Sequence, residues 1–401
     1  MKNSMKIMFV IAALSVCMTT TAQTRRPAAK KPAATAKKPA AAKLSGKFAI
    51  LQLDEWVNCD LFEDVNYIYF LDYPNGESNA LRAVDKKTGE VKLIVPRKTR
   101  RRAKILCAGA DSTNLYFRLE DKGIVKFNGT DVNTSEVLLA QGEWGKTFLP
   151  RSLQGEKIIT SPNGRYLALI GGTPNLVFDQ KEKRVVGYYD KAQDGLLSDK
   201  GTLIYINIDE IGVLPKGAPT QNTRDKLNSL GHKLWKMKEI GNGGGGELSG
   251  IWRDDVDSMI YVGMGEQVMR SPMKKMKWEE AFVLPGENKK FIRIAANAEH
   301  VFGETDNFEK HYYEWTNRKL EGQPTITKQM EFETDIVGKE KWTGLERKEK
   351  ISTVTRLYCD WLGNFWMQEG DGKFYIYNPN GIKGLKALVG KVTNNALPPV
   401  D

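Results

Sequence analysis

A polar turn followed at once by a short aromatic or β-branched strand recurs along this chain. It begins at Asp64 (Asp64-Val65-Asn66-Tyr67-Ile68-Tyr69-Phe70), Asp111 (Asp111-Ser112-Thr113-Asn114-Leu115-Tyr116-Phe117) and Ser161 (Ser161-Pro162-Asn163-Gly164-Arg165-Tyr166-Leu167). It returns at Ser198, Asp257, Asn297 and Asp360, the last reading Asp360-Trp361-Leu362-Gly363-Asn364-Phe365-Trp366. A second short strand follows across a Gly-, Asn- or Lys-rich turn. Leu81-Arg82-Ala83-Val84, the turn Asp85 to Glu90 and Val91-Lys92-Leu93-Ile94 make one such hairpin, and Leu176 to Asp179, Gln180 to Lys183 and Arg184 to Tyr189 make another. Phe374 to Tyr377 runs into a third turn, Asn378-Pro379-Asn380-Gly381. The anchors return about every 50 residues, the length of four strands with their loops, which is the period of a radial all-β repeat. The expected fold is therefore a β-propeller, most economically of seven blades, with six or eight left open.

The N-terminus sets the compartment. Lys2 and Lys6 flank an apolar run from Ile7 to Met18 that ends in Thr20-Thr21-Ala22-Gln23. A basic start, a short apolar stretch and small residues at the cleavage position make a secretory signal peptide over residues 1–22, cut after Ala22. A lipid on Cys17 is the alternative, against which stands the bulky Val16 before it. A dozen apolar residues are too few to span a bilayer, and no later run approaches the roughly 20 required. The expectation is an exported protein of the periplasm or outer envelope that is not transmembrane.

Residues 23–44 are almost entirely Ala, Lys, Arg, Pro and Thr, a composition with nothing to bury, expected to be a disordered linker. It explains much of the net charge of +11, since it carries Arg25, Arg26, Lys30, Lys31, Lys37, Lys38 and Lys43 without an acid. The basicity thus sits on a tail, which argues against a nucleic-acid partner and fits either an anionic glycan or lipid surface or a plain spacer. The propeller is expected over 45–395, with 396–401 as a C-terminal tail.

Chemistry-bearing motifs are sparse. His232, His300 and His311 stand in unrelated contexts, and no Gly-x-Ser-x-Gly elbow occurs. Gly241 to Gly246 lacks the Lys-Ser/Thr ending of a phosphate loop, and Asp254-Asp255-Val256-Asp257 lacks the spacing of a calcium loop. No catalytic residue, cofactor or metal is expected. Candidate binding residues are the cations Arg97, Lys98, Arg100, Arg101, Arg102 and Lys104, suited to phosphate or carboxylate, and Trp315 and Trp342, placed in long inter-strand segments where they could stack on a sugar or a protein partner. Cys59, Cys107 and Cys359 are left after signal removal. They are expected to be buried apolar residues with at most one bridge, for which Cys59 and Cys359, neighbours if the ring closes, are the candidate pair.

The string Ser161 to Ala168 resembles the turn-and-strand signature of TolB-like and WD40-like propellers of bacterial envelopes. Asp360 to Trp366, with Tyr375 and Tyr377 behind it, resembles the blades of propellers that precede bacterial two-component receptors. The signal ending in Ala-Gln resembles those of Bacteroidetes-type bacteria, and Asp111-Ser112-Thr113 and Asp257-Ser258-Met259 resemble their O-glycosylation acceptors. The resemblance implies an exported propeller used for binding, and transfers no catalytic residue. The functional expectation is a non-catalytic protein-binding or scaffold module with an envelope protein partner; the alternative is a propeller that binds or processes glycans.

Overall fold

In the computed structural model the described residues are 46–54, 58–73, 79–97, 104–140, 157–171, 175–189, 192–207, 210–214, 233–236, 248–254, 259–264, 267–283, 291–296, 300–305, 310–316, 325–332, 354–370 and 372–397. The signal peptide and linker fall outside them. The rest forms six four-stranded sheets and a seventh of five strands. We number them as blades in chain order: blade 1 spans 58–95, blade 2 105–140, blade 3 157–189, blade 4 194–236, blade 5 248–283 and blade 6 291–332. Each is a four-stranded antiparallel meander. The sequence anchors Asp64, Asp111, Ser161, Ser198, Asp257, Asn297 and Asp360 each fall between the first and second strands of one blade.

Blade 7 takes Val354–Cys359, Phe365–Glu369 and Lys373–Tyr377 from the C-terminal part of the chain, and its fourth strand, Phe48–Gln52, from the N-terminal part. Phe48 pairs with Tyr377 and Gln52 with Lys373, antiparallel. The turn after Tyr377 therefore does not fold back a hairpin. The N-terminal strand already fills that place, and Val392–Asn394 adds outside it in parallel. Both ends of the chain thus fasten one sheet.

Strands in this arrangement are apolar on both faces because each blade lies between two others. In Tyr166–Ile170, buried throughout, Tyr166, Ala168 and Ile170 pack toward blade 4 while Leu167 and Leu169 pack toward blade 2. Seven such apolar clusters fill the seven junctions, and one joins Trp366 and Phe374 of blade 7 to Ile68, Phe70 and Val84 of blade 1. The ring is closed by the same apolar packing that joins its consecutive blades. Gly109 shows how closely the first strands approach: a Cβ there would sit 2.4 Å from the Ile158 carbonyl oxygen of the next blade.

Because every blade begins at the same end, the ring has two distinct faces. One carries the first-to-second and third-to-fourth connections, among them the described anchors Asp64, Asp111, Ser161, Ser198 and Asp360; we call it the turn face. The opposite face carries the second-to-third connections and those between blades.

Candidate functional site

On the turn face the repeated Asp is a buried bracket. Asp111 Oδ1 accepts the N–H groups of Thr113 and Asn114 at 2.8 Å each, and Oδ2 accepts the Tyr116 hydroxyl at 2.5 Å. Asp64 repeats the pattern with Asn66, Tyr67 and the Tyr69 hydroxyl. Asp360 does so with the Asn364 N–H and the Trp366 indole N–H. Ser161 and Ser198 serve with their hydroxyls, which accept the N–H groups of Tyr166 and Thr202 at 3.0 Å. Burial raises the proton affinity of Asp111, but the Tyr116, Thr113 and Asn114 donors outweigh it and hold its pKa below the ordinary carboxylate value. Gly164, at φ +67°, completes the bracket between blades, since a Cβ there would come within 3.0 Å of Asp111 Oδ2. The motif that recurs in the sequence is thus a folding device.

On the opposite face carboxylates are held by cations from distant parts of the chain. The side chains of Arg82 and Asp72 are fully buried, and Arg82 pairs with both Asp54 and Asp72. Arg97 joins them, with Nη2 at 2.9 Å from Asp54 Oδ2 and 3.1 Å from Asp72 Oδ2. Asp72 also accepts the Ala80 N–H, and Asp54 Oδ1 accepts the Leu397 N–H at 2.7 Å, which holds the C-terminal segment to this network. Burial dominates at Asp72 and raises its pKa despite these donors. Along the first strands, which pack against one another around the axis, the pairing continues across blades. Asp60 meets Arg356 at 2.5 Å and Asp194 meets Lys157 at 2.7 Å. Within blade 6, Glu304 meets Arg293 at 2.5 Å. Among the described residues these axial carboxylates are each committed to a cation, and no group of three or more metal-ligating side chains comes together.

This network reassigns part of the basic run. Arg97, expected to offer its guanidinium to an anionic ligand, is bound within the protein to two carboxylates. Lys104 is exposed, before Ile105–Ala110, and its carbonyl accepts the Glu120 N–H. Lys98, Arg100, Arg101, Arg102 and Trp342 lie outside the described residues. Trp315 lies on Lys310–Thr316, its backbone paired opposite Ile326.

Cys59 and Cys359 are free thiols. The ring does bring their strands together, and the Cys59 N–H donates to Gln368 Oε1 at 3.3 Å. The side chains, however, serve different junctions: Cys59 packs between blades 7 and 1, Cys359 between blades 6 and 7. Strand alternation puts the sheet of blade 7 between them, so the candidate pair is not bridged and the reading of unpaired apolar cysteines holds. Cys107 is free and buried as well; desolvation pushes its thiol pKa up to about 12 and that of Cys59 higher still.

The corner where blades 7 and 1 meet on the turn face was not singled out by the sequence. The Glu63 carboxylate is buried there. It accepts the Tyr358 hydroxyl at 2.6 Å and the Trp361 N–H at 3.0 Å and pairs with Lys86 Nζ at 2.5 Å. Lys86 Nζ lies 4.2 Å from the centroid of the Trp361 ring, which is 64% exposed. Desolvation raises the Glu63 pKa to about 7, with Lys86 pulling the other way. A signal for the exposed ring was present in the repeat. The residue just after the anchor is exposed in each described turn of this kind: Val65, Ser112, Pro162, Asp199 and Trp361.

No known family's sequence profile matches the chain, and no curated protein matches it in sequence. Solved structures do share its fold. A streptogramin B lyase is similar over 83% of this chain and 98% of its own, with 13% identity and a TM-score of 0.51. The extracellular domain of the one-component system BT4673 from B. thetaiotaomicron is similar over 82% of this chain, at 11% identity and a TM-score of 0.48. PorZ, a surface component of the type-IX secretion system of Porphyromonas gingivalis, is similar over 80%, at 13% identity and a TM-score of 0.44. This chain spans 39% of the length of the BT4673 domain and 36% of PorZ. At these identities the likeness shows architecture alone, and in architecture this chain is a β-propeller.

Proposed function

We propose that this chain is an exported, non-catalytic propeller that binds a protein of the cell envelope through the face opposite the recurring turns of its repeat. The observation that carries this reading is the state of the axial carboxylates. Glycoside hydrolysis needs two carboxyl groups free to exchange protons across a cleft. Asp60, Asp194 and Glu304 are each paired with an Arg or Lys, which orients them and suits a rigid recognition surface. The neighbouring BT4673 and PorZ structures are named for an extracellular domain and a surface component, and the basic start with its short apolar run fits export. Among the described residues no helix is long and apolar enough to cross a membrane.

The test is crosslinking in intact cells followed by affinity purification from envelope fractions, with and without residues 24–43. One defined protein recovered with both forms supports recognition by the ring. Its loss on removing the tail places recognition on the tail, and recovery of the chain alone, where other envelope complexes survive, turns the reading toward glycans.

A further inference from the structure

In blades 1 to 6 sheet neighbours are consecutive in the chain, but in blade 7 Lys373–Tyr377 lies beside Phe48–Gln52, from the other end of the sequence. Parting these two strands breaks no turn and opens a loop that encloses nearly the whole ring, so their pairing carries a larger loop-closure cost than any hairpin. One segment spans this break. Residues 382–397 continue along the chain from blade 7, yet their backbone is bonded mostly to the N-terminal part. The Ile382 N–H donates to the Gly46 carbonyl at 2.9 Å, and the Leu385 and Ala387 N–H groups donate to the carbonyls of Lys86 and Thr88 at 2.8 and 2.7 Å. Further on, the Gly390 N–H donates to the Phe48 carbonyl, the Lys391 carbonyl accepts the Ile50 N–H, and the Asn395 N–H donates to the Gln52 carbonyl. The Leu397 N–H ends the series on Asp54 Oδ1. Phe48–Gln52 is thus held on one edge by Lys373–Tyr377 and on the other by this strap.

Side chains anchor the strap as well. Leu385 and Leu388, 0% and 1% exposed, belong to the apolar cluster that joins blades 7 and 1, with Phe70, Trp366 and Phe374. The backbone is bent to place them. Gly384 and Gly390 both stand at φ +68°, and Leu385 stands at φ +48°, a left-handed conformation that a leucine adopts only at a cost. Burial of its side chain offsets that cost, so a strap lifted off the junction has strain to release. Gly384 lies tight against blade 1, where a Cβ would overlap the Lys86 carbonyl oxygen.

We propose that residues 382–397 are a latch that gates opening of the ring: the ring parts between Lys373–Tyr377 and Phe48–Gln52, and the strap must leave blade 1 for it to do so. Opening then uncovers the apolar faces of blades 7 and 1 around Phe70, Trp366 and Phe374, while blades 2 and 3 keep their packing. This inference goes beyond the proposed function and does not depend on what the opposite face binds.

The test is hydrogen–deuterium exchange of the mature chain in increasing sub-denaturing urea, read peptide by peptide by mass spectrometry. Peptides covering 382–397 and 48–52 are expected to exchange at lower urea than those covering 105–140 and 157–189, with 382–397 no later than 48–52. Gly384→Ala, which pushes the strap off blade 1 and leaves the core intact, is expected to speed exchange of both segments about ten-fold. Leu388→Ala should speed it about 30-fold or more, with blades 2 and 3 unchanged. Leu176→Ala, a leucine equally buried between blades 2 and 3, should leave the exchange of 382–397 as it is. If Leu388→Ala does not fold, the order of exchange in the intact chain and the response to Gly384→Ala still decide the matter. Exchange of 48–52 ahead of 382–397, or at an unchanged rate once Gly384→Ala has loosened the strap, overturns the proposal. So does exchange of all seven sheets in one step, which would leave no separate opening to gate.

Discussion

The two faces of the ring use the same functional group in opposite ways. On the turn face a buried aspartate is satisfied by backbone N–H groups two to four residues on and by a hydroxyl or indole five or six residues on. On the opposite face a buried aspartate is satisfied by guanidinium groups from other strands: Asp54 receives Arg82, 28 residues away, and Arg97, 43 residues away. The first arrangement is local, neutral in its donors and repeated. The second is non-local and ionic. Local brackets make a blade, and ionic networks lock a particular set of blades together.

The contrast can be broken first at Arg82. Arg82→Met leaves Asp54 and Asp72 partly uncompensated in a buried setting and is expected to cost about 3–5 kcal/mol in urea unfolding; a loss below about 1 kcal/mol would show the network to be solvated, as surface pairs are.

Glu63, where the two schemes meet, gives a pH signature. Its folded pKa of about 7 lies above the ordinary glutamate value of 4.5, so the folded state binds the proton more tightly than the unfolded state. Ionised Glu63 costs stability above pH 7, and stability rises as pH falls from about 7 toward 4.5, by about 3 kcal/mol for the full shift. Glu63→Gln should flatten that part of the profile in thermal scans against pH; an unchanged slope would assign it to other groups.

Asp111→Ala removes a local bracket and leaves the Thr113 and Asn114 N–H groups without their acceptor. A loss of about 2 kcal/mol is expected, with Asp111→Asn recovering part of it. Because the Asp111 pKa is lowered, its contribution is complete above the unfolded carboxylate value and fades only as pH falls through its lower folded value. The smallest effect belongs to the thiols: reductant should leave the melting temperature of the mature chain unchanged. A drop of several degrees would reveal a bridge that the separate placements of Cys59 and Cys359 exclude.

What could be read from the sequence follows the same division. The brackets are written within seven residues, so the repeat and the propeller were legible, as were the hairpins at Asp85 to Glu90 and Gln180 to Lys183. Arg97 looked like part of a free cationic run because its partners, Asp54 and Asp72, stand at remote positions with no local pattern linking them. Cys59 and Cys359 were correctly expected on neighbouring strands; which face each thiol takes depends on register, and a single step in register reverses it. The turn after Tyr377 looked like the start of a hairpin because nothing local announces that residues 48–52 fill the strand position beside it. Trp361 was hidden among aromatics that propellers bury, such as Trp366, 1% exposed and five residues on, although its place just after the anchor is exposed in each described turn of the repeat.

The central claim, that the face opposite the turns carries recognition of a protein, is tested most directly by a photo-crosslinking amino acid placed in cells at Glu120 on that face and, separately, at Asn380 on the turn face, both exposed. The account predicts a defined protein adduct from position 120 and none from position 380. A protein adduct from position 380, with none from position 120, would contradict it.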